Sequence, residues 1–351
     1  MRANDMNLIN LTALLLWLVG GQVAGVVAGS MILMDPELPL KKCRYIRSYD
    51  LLQAQCKDLK LNDVPNNLQT GIEVLDAREN RIRELRNDTL SRYMSLRYLY
   101  LQDNFVQTIA EHAFGPTYYL EVLDLSKNGL LELPKSLYQL QSLRNLYLSD
   151  NQLTDAVFDV SGIRSPLQWL YLANNKLTRL PKLSPLTTLT LLNVSHNSIN
   201  HITTEDIASL CSLQIFDITG NPIRFDQNNC ECYELREWIS FRGIKLKLPL
   251  DCPPAVRERC SIVEFSNRTM SLYSTCLANV RNRVEARKAR STWIWIASCI
   301  GVFISCIFVA LCCMHKRNRN KRQRLKEQEV LASNNANTEQ LLNKDVSHEQ
   351  S

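Results

Sequence analysis

Through the middle of the chain, apolar residues follow two periods at once. In LRYLYLQDNFV (96–106), LEVLDLSKNGL (120–130), LRNLYLSDNQL (143–153), LQWLYLANNKL (167–177) and LTLLNVSHNSI (189–199), buried-type residues alternate with others at a spacing of two. That alternation predicts short strands with one face packed and one face open. The longer period is set by asparagine. Asn80, Asn104, Asn128, Asn151, Asn175, Asn197 and Asn221 follow one another at 22 to 24 residues, giving seven turns of one repeating unit. Stacking one strand per turn makes a parallel sheet whose leucine face points into the coil. Its other face carries Asp76, Arg78, Tyr98, Tyr100, Gln102, Asp124, Lys127, Asn145, Tyr147, Asp150, Trp169, Tyr171, Asn193 and Asp217. The asparagines leave the strands with both donors and an acceptor, so they are expected to form a ladder to neighbouring backbone.

Two apolar runs interrupt this pattern at the ends. Leu8–Val19 precedes GGQVAGVVAGS, small residues suited to signal-peptide cleavage, and we place the cut after Gly29. Trp293–Cys313 is uncharged and close to the roughly 20 residues that span a bilayer core. Arginines and lysines flank it on both sides, more heavily at 316–326, which predicts an extracellular amino terminus, a cytoplasmic carboxyl end and a single-pass type I protein of the plasma membrane.

The repeated frame L-x-x-L-x-L-x-x-N-x-L resembles leucine-rich repeats over about 150 residues. The first turn departs from it at Ala77 and the last at Phe216 and Ile218. The resemblance implies an α/β solenoid, a horseshoe with the parallel sheet on its concave face and a cysteine-containing cap at each end. It divides the chain into a signal peptide (1–29), an amino-terminal cap (30–70), seven repeats (71–226), a carboxyl-terminal cysteine cap (227–276), a basic juxtamembrane stalk (277–291), a transmembrane helix (292–314) and a disordered cytoplasmic tail (315–351). The basic single span and extra cysteines also look rather like transmembrane leucine-rich immune proteins of insects.

Eight of the twelve cysteines precede the span and are expected in an oxidising compartment. Cys43 and Cys56, followed by LKLNDVPNNL, resemble an amino-terminal cap, which implies a Cys43–Cys56 bridge. NPIRFDQNNCECYELREWI resembles a carboxyl-terminal cap, which implies Cys230–Cys252 and Cys232–Cys276, with Trp238 covering the last leucines. Cys211 and Cys260 fall outside that scheme. Either they pair with each other, which makes four even bridges, or one is free for an intermolecular bond. Cys312 and Cys313 at the inner membrane edge are candidates for palmitoylation.

The net charge of +6 does not point to nucleic acid. The membrane flanks carry the cations, and the folded outer region is left at about −1. Nor does any motif place a catalytic group. There is no phosphate-binding glycine loop and no HExxH helix, and His196 near Asp217 is the nearest thing to an acid–base pair. We therefore expect no enzyme activity, no cofactor and no metal site. Beyond the expected signal peptide, sequons stand at Asn87, Asn193 and Asn267, marking a glycoprotein; Asn193 falls on the concave face. Arg287–Arg290 fits a minimal basic processing site for shedding of the ectodomain.

Tyrosine and tryptophan offer stiff contact area with a polar tip. Tyr98, Tyr100, Asp124, Tyr147, Trp169, Tyr171 and Asn193 are accordingly the expected partner-binding residues. With a tail too short for a signalling domain, the chain reads as a cell-surface receptor or adhesion protein that binds an extracellular or cell-surface protein, with dimerisation open. The alternative is innate immune recognition of microbial ligands or circulating defence proteins.

Overall fold

The computed structural model describes residues 42–158, 162–183, 186–227, 229–254, 259–260 and 264–348, with side chains as far as 335. The expected signal peptide lies outside the described residues. The chain opens on an antiparallel hairpin, β1 (Arg44–Ser48) and β2 (Leu51–Gln55). One strand per turn follows: β3 (Val74–Asp76), β5 (Tyr98–Tyr100), β7 (Val122–Asp124), β8 (Asn145–Tyr147), β9 (Trp169–Tyr171), β10 (Leu191–Asn193) and β11 (Ile215–Asp217). The short β12 (Lys245–Leu246) closes a sheet of ten strands that is parallel from β2 onward. Beneath it β4 (Glu84–Leu85) pairs with β6 (Thr108–Ile109).

Each strand buries its central residue. Leu75, Leu99, Leu123, Leu146, Leu170 and Phe216 are wholly inaccessible and Leu192 nearly so, and each contributes roughly 1.5 to 3 kcal/mol by leaving water. The ladder asparagines hold the turns together. Asn104 accepts from Ile82 N–H (3.1 Å) and donates to the carbonyls of Ala77 and Leu101 (3.0 Å each); Asn128, Asn151, Asn175, Asn197 and Asn221 repeat this geometry. Asn80 reaches back to Cys56 O and to the amides of Leu59 and Leu61, so the hairpin serves as an additional turn. The residue before each ladder asparagine lies in the left-handed region: Glu79, Asp103, Lys127, Asp150, Asn174 and His196 at φ 53–58°, and Gly220 at 71°. The strand-to-loop corner is thus one conformation used seven times.

The far side of the coil has no regular sheet. It is filled by Tyr93, Phe114, Tyr138 and Phe158, all buried. Tyr138 meets Phe158 edge-on at 6.1 Å and donates its hydroxyl to Val157 O, and burial pushes its phenol well above the ordinary value. Helix α1 (Thr204–Ala208) is fixed by a capping box between Thr203 and Asp206.

Helix α2 (Glu231–Arg242) covers the last turn. Trp238, fully buried, meets Phe265 and Tyr273 edge-on at 4.9 and 5.4 Å. Gly243 ends the helix at φ 62°, a conformation glycine adopts without strain. Helix α3 (Asn267–His348) begins in this cap, where Thr269 and Cys276 are buried.

Cys43 is bonded to Cys56. The other bridges correct the expected pairing. Cys230 joins Cys260 in place of Cys252, Cys232 joins Cys252 in place of Cys276, and Cys211 joins Cys276 in place of Cys260. The reason is where α3 starts. Its first turns pack on α1 beside the last repeat, so Cys276 lies 5.8 Å (Cα to Cα) from Cys211, and Cys211 N–H points at its sulfur (3.2 Å). Cys252 and Cys260 are left to the first turn of α2, where Cys230 and Cys232 sit at Cα separations of 5.5 Å. The three bridges are nested, 232–252 inside 230–260 inside 211–276.

A second correction concerns the tail. The segment from 315, expected to be disordered, continues α3 as far as His348 and is exposed through 335. Lysine, arginine, glutamine, glutamate, leucine and alanine dominate its first half, and these residues favour helix without tertiary support. The uncharged run Trp293–Cys313 lies within α3, which is long and apolar enough there to cross a membrane, and none of it is buried against the protein.

Candidate functional site

Strand register arranges the open face of the sheet into two rows. One runs Val74, Tyr98, Val122, Asn145, Trp169, Leu191, Ile215 and Lys245; the other runs Asp76, Tyr100, Asp124, Tyr147, Tyr171, Asn193 and Asp217. The seven expected binding residues therefore share one surface, on five of the seven turns.

The rows differ along their length. At the amino-terminal end the face is charged and aromatic. Asp76 accepts two bonds from the Arg78 guanidinium, at 2.9 and 2.8 Å, and that guanidinium lies 5.6 Å over the Tyr100 ring. Burial opposes ionisation of Asp76, but the Arg78 side chain and N–H outweigh it and hold the carboxyl below its usual value. Arg97 lies over Tyr98 at 5.7 Å and bonds Glu121 at 2.7 Å. A cleft of about 500 Å³ opens here between the hairpin and β5, lined by Tyr49, Gln53, Asp76, Arg78, Tyr98 and Tyr100. Burial, together with the neighbouring Tyr98, raises the Tyr100 phenol above its ordinary value.

Toward the carboxyl-terminal end one of the two rows turns apolar. Trp169 is 42 % exposed and Ile215 44 % exposed, with Leu191 between them in register. Beside them Tyr147 and Tyr171 stack at 4.9 Å and 17°. This stacking pre-orders the pair and contributes about 0.2 to 1 kcal/mol as a cross-strand contact. Leu191 and Ile215 were not among the expected residues, although the alternation places them on this face.

Asp124 and Asn193 also lie here, each with one oxygen committed. Asp124 accepts from Ser126 N–H (2.9 Å), and Asn193 from the N–H and hydroxyl of Ser195 (3.0 and 2.8 Å). They shape the strand exit as well as the surface. Asp217 is engaged by Thr219 N–H (3.0 Å), the Thr219 hydroxyl (2.7 Å) and Lys247 (3.5 Å), and the His196 ring rests against Gly220 instead of this carboxylate. Among the described residues no cluster of histidine, cysteine and carboxylate is arranged to hold a metal.

The sequons are dispersed. Asn87 is exposed and accepts from His112 N–H, whereas Asn267 is exposed at the start of α3. Cys312, Cys313 and Arg287–Arg290 are exposed along α3, with both cysteines free.

The face can offer a stiff surface with donors at one end and apolar contact at the other. A family model described as leucine rich repeat matches residues 94–153 and 165–223. Among curated proteins, the chain is 28 % identical over 173 residues to CD180 antigen of Mus musculus (48 % of this chain, 26 % of that protein). It is 30 % identical over 185 residues to Tsukushi of Mus musculus (50 % and 51 %) and 30 % identical over 192 residues to lumican of Mus musculus (48 % and 56 %). The chain spans about half the length of these relatives, or less. A solved structure of the mouse RP105/MD-1 complex aligns with a TM-score of 0.43 at 26 % identity, covering 52 % of this chain and 31 % of that one.

Proposed function

We propose that this chain, whose residues 94–153 and 165–223 match leucine-rich repeats, is a single-pass cell-surface receptor or adhesion protein whose concave face binds another protein. The observation that carries this reading is the row Trp169–Leu191–Ile215, exposed at Trp169 and Ile215 and half-buried at Leu191, beside the stacked Tyr147–Tyr171 pair. The coil's own packing uses the leucines between these positions and does not require large apolar side chains at them. Aromatic and aliphatic anchors on a rigid element are the residues that dominate protein interfaces.

The membrane topology rests on chemistry at the two sides of the apolar run. Eight bonded cysteines precede it, suiting an oxidising exterior, and a dense basic stretch follows it, suiting the cytoplasmic face.

The test is proximity labelling on cells displaying the full chain, beside a Trp169→Ala/Tyr171→Ala variant at equal surface density. Loss of a labelled cell-surface or secreted protein in the variant is the expected result. Equal recovery of every partner would overturn the concave-face reading. Recovery dominated by microbial or circulating defence proteins would favour immune recognition over adhesion.

A further inference from the structure

Among the described residues the sheet ends at β1. The hairpin turn is formed by Tyr49 and Asp50, both in the left-handed region at φ 49° and 64°, and it pairs Ser48 with Leu51. Glu73 N–H bonds Leu52 O at 2.9 Å, so the backbone of Leu52 faces β3 and not β1. Opposed residues in an antiparallel pair alternate between bonded and unbonded. Arg47 opposite Leu52, and Tyr45 opposite Ala54, therefore turn their N–H and C=O groups outward. Among the described residues no strand meets them.

The side chains of this edge are distinctive. Lys42, Arg44 and Arg47 lie on seven consecutive residues without an acid. Tyr45 and Ile46 are 38 % and 39 % exposed, and Tyr49 at the turn is 97 % exposed. Cations on an edge strand by themselves only discourage self-association. Here they are interleaved with exposed apolar residues, beside a turn with two non-glycine residues in left-handed conformation and the cleft lined by Ser48, Tyr49 and Gln53.

We propose that the outer edge of β1 docks an extended acidic segment of a partner protein. The segment adds a strand to the sheet, its backbone bonded to Tyr45 and Arg47. Its carboxylates stand against Arg44 and Arg47, and an apolar side chain lies beside Ile46 on the concave side. Charge selects this occupant over a second copy of the chain, since self-pairing would set two identical groups of cations against each other. The proposal stands apart from the Trp169 surface and does not depend on it.

The probe is a capped decapeptide of two Glu-Thr-Val-Glu-Thr units, titrated by NMR or anisotropy against the full chain in detergent micelles. A lysine-for-glutamate counterpart and two versions N-methylated on alternate sets of amides accompany it. The acidic peptide is expected to bind, and one N-methyl set to weaken it at least tenfold while the other stays within about twofold. Arg44→Glu/Arg47→Glu is expected to reverse the preference to the lysine peptide. Arg47→Pro, which removes an N–H not used in the hairpin, is expected to weaken binding more than Arg47→Ala. No binding at millimolar acidic peptide, equal binding of both charges, or indifference to both N-methyl sets would overturn the proposal.

Discussion

Asparagine and tryptophan in neighbouring turns carry opposite burdens. Asn151 is buried and serves four backbone groups, Leu130 N–H and the carbonyls of Leu125, Leu148 and Ser149, whereas Trp169 is exposed on the open face. Asn151→Ala strands those groups, and we expect a loss of about 2 to 4 kcal/mol in urea unfolding. Trp169→Ala should cost less than about 1 kcal/mol in the same experiment. Gly220 is the one ladder-corner residue that is glycine, and a Cβ there would come within 2.4 Å of His196 Nδ1. Gly220→Ala should therefore lower stability by about 1 to 2 kcal/mol, with part recovered by His196→Ser, as a thermal melt would record. Asp76 supplies a pH signature. Its folded pKa lies below the ordinary 3.8, so its contribution is present above that value and fades as the pH falls toward the folded one. Arg78→Ala should flatten this acid limb below about pH 4. At this scale the tyrosines and Trp169 were legible because an aromatic between leucines stands out. Leu191 and Ile215 were not, because an apolar residue among leucines looks like core until register assigns it to a face.

Whole strands were the easiest elements to read, since a leucine alternation tied to a repeating asparagine allows one register only. The β1–β2 hairpin was not legible. RYIRSYDLLQAQ turns on Tyr49–Asp50 with no glycine, against the usual chemistry of a two-residue turn. The carboxyl-terminal bridges were misread for a different reason. Cysteine spacing does not reveal which surface the first turns of α3 pack on, and their contact with α1 decides the partner of Cys276. Non-reducing peptide mapping should recover 211–276, 230–260 and 232–252 as linked pairs. Removing the outermost bridge with Cys211→Ser/Cys276→Ser releases a loop of 65 residues, and chain entropy puts the cost at about 4 kcal/mol. Differential scanning calorimetry on the full chain would measure it. Arg242 reinforces the same junction: it bonds Cys211 O and lies 4.3 Å over the Tyr273 ring.

Across the whole molecule, a solenoid closed by cysteine caps continues into one helix that carries the apolar run. Because α3 begins inside the cap, residues 277–291, which precede the apolar run, extend the last disulfide-held element and are helical throughout. Seven corners of one conformation, with a buried residue at the centre of each strand, give a surface stiff enough to present Trp169 and Tyr171 in fixed positions. The central claim is that this open face, and not the far side of the coil, meets the partner. Photo-crosslinking tests it without disturbing the fold. A benzophenone side chain is placed at Tyr171 in one form of the displayed protein, and at Tyr119, an exposed residue off the sheet in the turn before β7, in another. A discrete crosslinked partner from Tyr171 and none from Tyr119 is the expected result; the same partner from Tyr119, with none from Tyr171, would contradict it.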